Sequence, residues 1–228
     1  MRKPSIPQSH LRYPLSRILA SEGAVRVLRE LVRHGGELSI PWLVTATKLS
    51  KEAVRMLVQE DLSEVGIVER LGTGRIALYR VRADHPMRDA LGLLFDEEVA
   101  HSRRVFAALL EAARSVTPDA LAVWMYGSVA RGEDGPGSDL DVVVVLPEEG
   151  LDAAISRYRA ALAAQLDREM VHLSVIGLSR GDVQRLVEAN NPWWRNLNVD
   201  AIPILGPPPA MLWLRLQAAS NKGRESAA

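Results

Sequence analysis

The chain has 228 residues, of which 47% are hydrophobic and 25% are charged, and it contains no cysteine. This composition predicts a globular protein of one large or two small domains, and it excludes disulfides and thiolate metal sites. The N-terminal residues lack the apolar core of a secretion signal and no apolar run approaches membrane-spanning length, so we expect a cytoplasmic protein without membrane contacts. Residues 1–82 carry 14 Lys or Arg against 8 Asp or Glu, whereas the remainder carries 14 against 20. The basic first part suits a polyanionic partner such as nucleic acid.

Residues 1–14 contain three prolines and are predicted to form an irregular arm. Three short helices are predicted next, because Ser21, Ser39 and Ser50 suit N-cap positions and apolar residues recur at helical spacing after the first and third of them. Two strands follow, IVERL and RIALYRV, and the turn Gly72-Thr73-Gly74 between them predicts a hairpin with a glycine-rich tip.

Three short helices followed by a two-stranded wing, over residues 15–82, resemble a winged helix-turn-helix domain. The resemblance implies a homodimer whose third helix enters the major groove of double-stranded DNA. Acidic residues on the same helix, such as Glu52 and Glu60, leave a protein–protein or dimerisation module as the alternative. The predicted DNA contacts lie at the start of the third helix and on the wing: Lys48, Ser50, Lys51, Arg55, Thr73 and Arg75.

Residues 83–115 combine regularly spaced apolar residues with interspersed charges. They predict a linker helix, either one long helix or two abutting ones, that ends before Pro118. His101 in this stretch is interpreted as an ordinary surface or packing histidine.

Leu121 to Met125 and Val142 to Leu146 predict two apolar strands, separated by a glycine-containing turn and a polar loop. Asp139 and Asp141 are spaced i, i+2 at the start of the second strand, so both carboxylates project from one face. Neighbouring carboxylates repel, and oxygen ligands suit a hard cation such as Mg²⁺ that also takes substrate phosphates. Gly127-Ser128 follows the first strand directly, where backbone N–H groups and a hydroxyl can approach a phosphate.

Gly127-Ser128, Ala130-Arg131-Gly132 and Ser138-Asp139-Leu140-Asp141, in this order, resemble the signature of the DNA polymerase beta-like nucleotidyltransferase superfamily, especially its minimal members. The resemblance implies an α+β or α/β domain over residues 116–206, with a mixed sheet flanked by helices. It implies transfer of a nucleoside monophosphate from an NTP such as ATP to a hydroxyl, with Mg²⁺ as cofactor. On this interpretation Arg131 is either a phosphate ligand or a structural partner of a nearby acid. The implied roles are metal binding and catalysis for Asp139 and Asp141, and nucleotide binding for Gly127, Ser128, Arg131 and Ser138.

The third carboxylate of the superfamily normally lies on the strand predicted from MVHLSVIGL. The candidate positions here carry His172 and Ser174, so this ligand and general base is expected to be missing. Glu169 precedes the strand and is the less favoured substitute. His172 is interpreted either as a neutral base near pH 7 or as a structural residue.

The end of the chain predicts a helix after Ser179, a short helix, and a last strand that ends at Gly206. Adjacent residues on a helix point in different directions, so one of Trp193 and Trp194 is expected in the core. Residues 207–228 are predicted to be a tail in which MLWLRL docks on a neighbour or subunit and NKGRESAA is disordered.

The leading hypothesis is therefore a two-module protein that binds Mg-NTP, transfers nucleotides and carries an attached DNA-binding domain. One alternative is a DNA-binding regulator whose nucleotidyltransferase domain has lost catalysis and senses nucleotides. A second is an antitoxin-like protein that acts on a toxin partner, because minimal nucleotidyltransferases often pair with a helical toxin.

Overall fold

The computed structural model describes residues 9–72, 77–116, 119–147 and 150–225. The chain divides into two compact units, Met1–Ala100 and His101–Ala228. Among the described residues, no helix combines the length and the apolar composition needed to cross a membrane.

The first unit combines short helices with a small antiparallel sheet in the order β1-β3-β2. A π-helical segment, Leu57–Asp61, joins its fourth and fifth helices. Its elements are α1 Leu15–Ile18, α2 Glu22–His34, β1 Leu38–Ser39, α3 Ile40–Thr47, α4 Lys51–Met56, α5 Leu62–Glu64, β2 Val68–Leu71 and β3 Leu78–Val81.

Serine caps fix the starts of the three main helices of this unit, as the sequence predicts. The Ser21 hydroxyl accepts a hydrogen bond from the Ala24 N–H at 3.1 Å, and Ser50 accepts one from the Ala53 N–H at 3.1 Å. Ser39 caps α3 in the same way, and Gly35 ends α2 in the left-handed conformation. Each cap satisfies a backbone donor that the first helical turn leaves without a partner.

The predicted hairpin strands pair as β2 and β3, with Val68 opposite Val81. Thr73 lies outside the described residues, as does the rest of the segment 73–76. Strand β1 was not predicted, because two residues have no detectable periodicity, and it forms only by pairing with β3. The winged helix-turn-helix interpretation of this unit stays a prediction.

The stretch predicted as one or two helices is a single helix, α6, Arg88–Val116. Leu91 and Phe95 on its first turns belong to the core of the first unit, together with Leu28 and Tyr79. Farther along, Leu109 belongs to the core of the second unit.

The second unit has a four-stranded sheet in the order β6-β5-β4-β7. β5 and β6 are parallel, whereas β4 is antiparallel to both of its neighbours. The mixed sheet flanked by helices was predicted correctly. Its elements are β4 Ala122–Tyr126, α7 Gly127–Arg131, β5 Leu140–Leu146, α8 Leu151–Arg168, β6 Leu173–Ser179, α9 Arg180–Glu188, α10 Pro192–Asp200, β7 Ile202–Leu205 and α11 Pro209–Glu225.

Alternate residues of β5 face two different cores. Val142 and Val144 pack in a cluster with residues of α6 and α8. Val143 and Val145 pack on the other side, in a second cluster that includes Trp124 and residues from α9, α10 and α11. Because side chains alternate along a strand, Asp141 shares the second face with Val143.

The C-terminal tail was predicted in part: MLWLRL packs on the second unit as expected, whereas disorder of NKGRESAA was wrong for its described residues. A helix, α11, runs to Glu225, so the first part of NKGRESAA is helical. Pro209 suits the first helical position, and Leu212 is buried in the second cluster, which anchors the helix.

Each outer strand of the sheet has one backbone group that is missing or already hydrogen-bonded to a side chain. β7 contains Pro203, which has no backbone N–H. On β6, the Arg159 side chain donates a hydrogen bond to the Val175 carbonyl at 2.8 Å.

Candidate active site

Asp141 lies at the start of β5, where three strands meet. Its partner on the antiparallel strand β4 is Tyr126, and its partner on the parallel strand β6 is Ser174. Asp139 precedes the strand and is exposed, and Asp141 is partly buried. Asp139 immediately precedes β5 and lies two residues before Asp141, so these two acids stay a predicted pair.

Gly127, the residue after β4, faces the Asp141 carboxylate. Its φ of 79° lies in the left-handed region that glycine adopts without a steric penalty. A Cβ at this position would overlap the Asp141 carboxylate. Gly127 therefore permits the close approach of the turn to the acid, and Ser128 follows it as the second residue of α7.

The carboxylates of Asp139 and Asp141 differ in their charged contacts from the acids of the neighbouring ion pairs. Among the residues that the structure describes, no Lys, Arg or His forms an ion pair with Asp139 or Asp141. The same residues contain no cluster of three or more His, Asp or Glu side chains that could hold a metal.

The strand beside Asp141 carries no acid, as expected from the sequence. Ser174 occupies the position next to Asp141, and the His172 carbonyl accepts a hydrogen bond from the Leu140 N–H at 2.7 Å. Both positions thus lack a carboxylate.

The Glu169 carboxylate contacts two residues of α6, on the face of the sheet opposite Asp141. Its carboxylate accepts a hydrogen bond from Arg104 Nε at 2.8 Å and lies 2.8 Å from His101 Nδ1. Hydrogen bonds from Arg104 and then His101 hold its pKa below the usual glutamate range. Both partners belong to α6, which packs on the face opposite Asp141, so Glu169 does not complete the acid pair.

Arg131 forms two ion pairs instead of extending freely toward the turn. Its Nε donates to Glu133 at 2.7 Å, and its Nη1 donates to Asp200 at 2.7 Å. Arg131 is therefore a partner of nearby acids, which is the second of its two predicted roles. Ser138 lies in an exposed turn, where its hydroxyl accepts a hydrogen bond from the Gly135 N–H at 3.0 Å.

Two residues near the acids were missed by sequence reasoning. Tyr126 lies opposite Asp141 and stacks edge-to-face with Trp193, with ring centroids 5.7 Å apart. Burial raises the pKa of the Tyr126 hydroxyl, the negative charge of Asp141 raises it further, and a hydrogen bond with Trp193 opposes both effects. Asp200 is the second missed residue. The position of Tyr126 directly before Gly127 was the available signal for the first, whereas no local signal pointed to Asp200.

Four of the six candidate DNA-contacting residues lie from the end of α3 to the last turn of α4. Lys48 ends α3 in the left-handed conformation, and Ser50 is the N-cap of α4. Lys51 is exposed, and Arg55 donates a hydrogen bond to Gln59 Oε1 at 3.1 Å. Thr73 and Arg75 lie outside the described residues.

Residues 108–176 match the sequence model of the nucleotidyltransferase domain family. The matched range contains the end of α6, then β4, α7, β5 and α8, and the first half of β6, so it includes Gly127 and both aspartates. The match covers less than a third of the chain, so the likeness to this family is confined to the second unit. No curated protein sequence matches the chain.

Three solved structures are similar to part of the chain. A toxin–antitoxin with AMP-PNP is 14% identical over 53% of this chain and 90% of its own, with a TM-score of 0.36. A mutant of the toxin–antitoxin MntA–HpeT is 11% identical over the same shares, with a TM-score of 0.35. A proposed nucleotidyltransferase from Sulfolobus solfataricus is 19% identical over 46% of this chain and 83% of its own, with a TM-score of 0.27. These scores are too low to establish a shared fold, so the domain assignment rests on the family match.

Proposed function

We propose that the second unit binds a Mg²⁺-bound NTP and transfers its nucleoside monophosphate to a hydroxyl acceptor. The observation that carries this proposal is the close approach of Gly127 to the Asp141 carboxylate, two residues after Asp139, within the segment that matches the nucleotidyltransferase domain family. The acceptor oxygen bonds to the α-phosphorus of the NTP as pyrophosphate leaves, and the hydroxyl proton passes to solvent or to a nearby base.

The residues present fit a divalent cation. Two adjacent carboxylates without a protein counter-ion repel each other, and a hard cation between them removes this penalty. Mg²⁺ retains waters and accepts substrate phosphates, so it does not require a third protein ligand for binding. When bound, the ion neutralises charge on the triphosphate.

The protein itself positions the triphosphate. Gly127 lets the backbone approach the phosphates, and the Ser128 hydroxyl supplies a donor. Arg131 supports the turn through its ion pairs with Glu133 and Asp200. Ser138 holds the loop before Asp139 by its hydrogen bond with Gly135.

The test is calorimetric titration of Mg-ATP and the other NTPs into the full chain, followed by measurement of pyrophosphate release. Asp139→Asn combined with Asp141→Asn is expected to abolish Mg²⁺-dependent binding while the protein stays folded. Asp167→Asn, which removes one exposed charge from α8, is the control and is expected to bind as the wild type does. Unchanged affinity in the double variant would refute the metal site.

A second function, binding of double-stranded DNA by the first unit, is supported by the excess of basic residues in residues 1–82. In this proposal the first unit is a winged helix-turn-helix domain, present as a homodimer, and Lys48, Ser50, Lys51 and Arg55 contact DNA. Ser50 already caps α4, so its hydroxyl contributes mainly to helix stability. Nucleotide binding without pyrophosphate release, together with DNA binding, would favour a nucleotide-sensing regulator over an enzyme.

The proposal names a hydroxyl group as the acceptor but not the molecule that carries it. A partner protein such as a toxin is one candidate. Incubation of this protein with ATP that is radiolabelled at the α-phosphate, and with a protein encoded beside this chain, tests that candidate. Transfer of label to that protein supports an antitoxin-like role, and transfer only to small molecules excludes it.

A further inference from the structure

Two consecutive tryptophans at the start of α10 have different surroundings. Trp194 is 5% exposed and packs against Trp124 in the core, with ring centroids 6.1 Å apart. Trp193 is only partly buried. Its indole meets Tyr126 edge-to-face at 5.7 Å and an interplanar angle of 87°. Trp193 therefore presents aromatic surface to solvent beside Tyr126.

The Tyr126 side chain lies between Trp193 and Asp141. Tyr126 is the cross-strand partner of Asp141, so the two Cβ atoms lie on the same face, about 5 Å apart. Tyr126 also directly precedes Gly127. The partly exposed indole consequently lies next to the turn and the acids that are proposed to hold the triphosphate.

The helix that carries Trp193 is fastened at both ends. At its start, the Asn191 side chain accepts a hydrogen bond from the Trp193 N–H at 2.8 Å. At its end, Asp200 accepts a hydrogen bond from Arg131 of α7 at 2.7 Å. These contacts fix the indole relative to the Gly127-Ser128 turn, and a fixed ring stacks with little loss of entropy.

A nucleotide whose phosphates lie at this turn must place its ribose and base beyond them. Every base has an aromatic face, and stacking on a tryptophan tolerates any base. We propose that the base of the NTP stacks on Trp193, and that Tyr126 holds the indole in position. This inference rests on the proposed nucleotide binding, and it names the subsite for the nucleoside.

The experiment compares titration of the full chain with Mg-ATP and with Mg-tripolyphosphate, which has no nucleoside. Trp193→Leu keeps apolar bulk but loses the aromatic face, whereas Trp193→Phe keeps a ring. We expect Trp193→Leu to weaken Mg-ATP binding about tenfold, in line with the removal of one stacking interaction, and to leave tripolyphosphate affinity unchanged. Trp193→Phe should retain most of the ATP affinity. Quenching of tryptophan fluorescence by ATP, and not by tripolyphosphate, should disappear in both variants.

Trp213→Leu is the matched control, because Trp213 is another partly buried indole packed against the same cluster. It should leave both affinities unchanged. Equal loss of ATP and tripolyphosphate affinity in Trp193→Leu, or no loss of either, would overturn the stacking role and leave Trp193 as a packing residue. If the wild type binds neither ligand, the proposed nucleotide binding fails as well, so the two failures are distinguishable. Thermal unfolding of each variant verifies folding, and if Trp193→Leu is unfolded, loss of ATP-specific quenching in Trp193→Phe decides the question.

Discussion

Arg131 and Asp200 tie the short helix after β4 to the far end of α10, with 2.7 Å between Nη1 and Oδ2. The same guanidinium binds Glu133 through Nε. Hydrogen bonds to Glu133 and to Asp200 raise the pKa of Arg131, so it stays charged. The two carboxylates differ in solvent exposure, since the Asp200 side chain is 17% exposed and the Glu133 side chain 64%.

This difference predicts unequal effects of removing the two charges. Solvent screens an exposed ion pair more than a shielded one, so Asp200→Asn should lower the urea midpoint of unfolding more than Glu133→Gln. Both variants are measured at low and at moderate salt, and the difference between their midpoints should persist or widen as salt rises, because salt screens the exposed Glu133 pair more than the shielded Asp200 pair. Equal midpoints for the two variants would show that the Arg131–Asp200 pair contributes no more to stability than the Arg131–Glu133 pair.

Gly127→Ala is expected to destabilise the protein by about 1–2 kcal/mol, because an L-residue pays this cost in the left-handed region. It should also abolish Mg-ATP binding, since the new Cβ displaces the Asp141 carboxylate. Urea unfolding and calorimetry provide the two measurements.

Gly132→Ala separates the two effects of that substitution. Gly132 has a φ of 66°, but a Cβ there would meet no atom within 4 Å. It should cost about the same stability, about 1–2 kcal/mol, and leave Mg-ATP binding intact. Equal loss of binding in both variants would mean that the turn conformation matters and the contact with Asp141 does not.

Glu169 should make stability depend on pH. Its pKa in the folded state is lowered by Arg104 and His101. The stabilisation is therefore fully present above the ordinary glutamate pKa of about 4.3 and is lost as pH falls through the lower folded value. Urea unfolding of the wild type and of Glu169→Gln should differ at neutral pH and converge in acid. A difference that stays constant with pH would contradict this ion pair.

DNA binding by the first unit predicts a salt-dependent effect at α4. Lys51→Ala with Arg55→Ala should weaken binding to duplex DNA and lower the salt slope by about 2, because each cation that is removed leaves one phosphate without its neutralising partner. Fluorescence anisotropy at several salt concentrations measures both. The control variant, Arg157→Ala with Arg180→Ala, removes two exposed cations from the second unit. It should change neither the DNA affinity nor the salt slope. Absence of DNA binding by the wild type at low salt would eliminate the proposal.

Local chemistry made much of the fold predictable. Ser21, Ser39 and Ser50 cap helices because a serine hydroxyl satisfies backbone donors within three residues, so the signal lies within a short window. The paired aspartates and Gly127-Ser128 are equally local. Their strands were predicted to within two residues of the observed bounds of β4 and β5.

Long-range pairing accounts for what the sequence did not predict. Asp200 is 69 residues from Arg131, and no pattern along the chain connects them. The proximity of Tyr126 to Asp141 depends on the register of β4 and β5, which sequence alone does not define. The last turns of α11 were mistaken for a disordered end because their residues are polar, although Leu212 farther up the helix anchors it to the core.

The two outer strands of the sheet also bear on how the molecule avoids aggregation. An open strand edge is a template for another chain, and proteins interrupt such edges with proline or charged side chains. Pro203 removes a donor from β7, and the Arg159 guanidinium occupies an acceptor on β6. Each feature leaves one fewer backbone group available for pairing on an outer strand, so addition of a further strand to the sheet of the second unit is disfavoured.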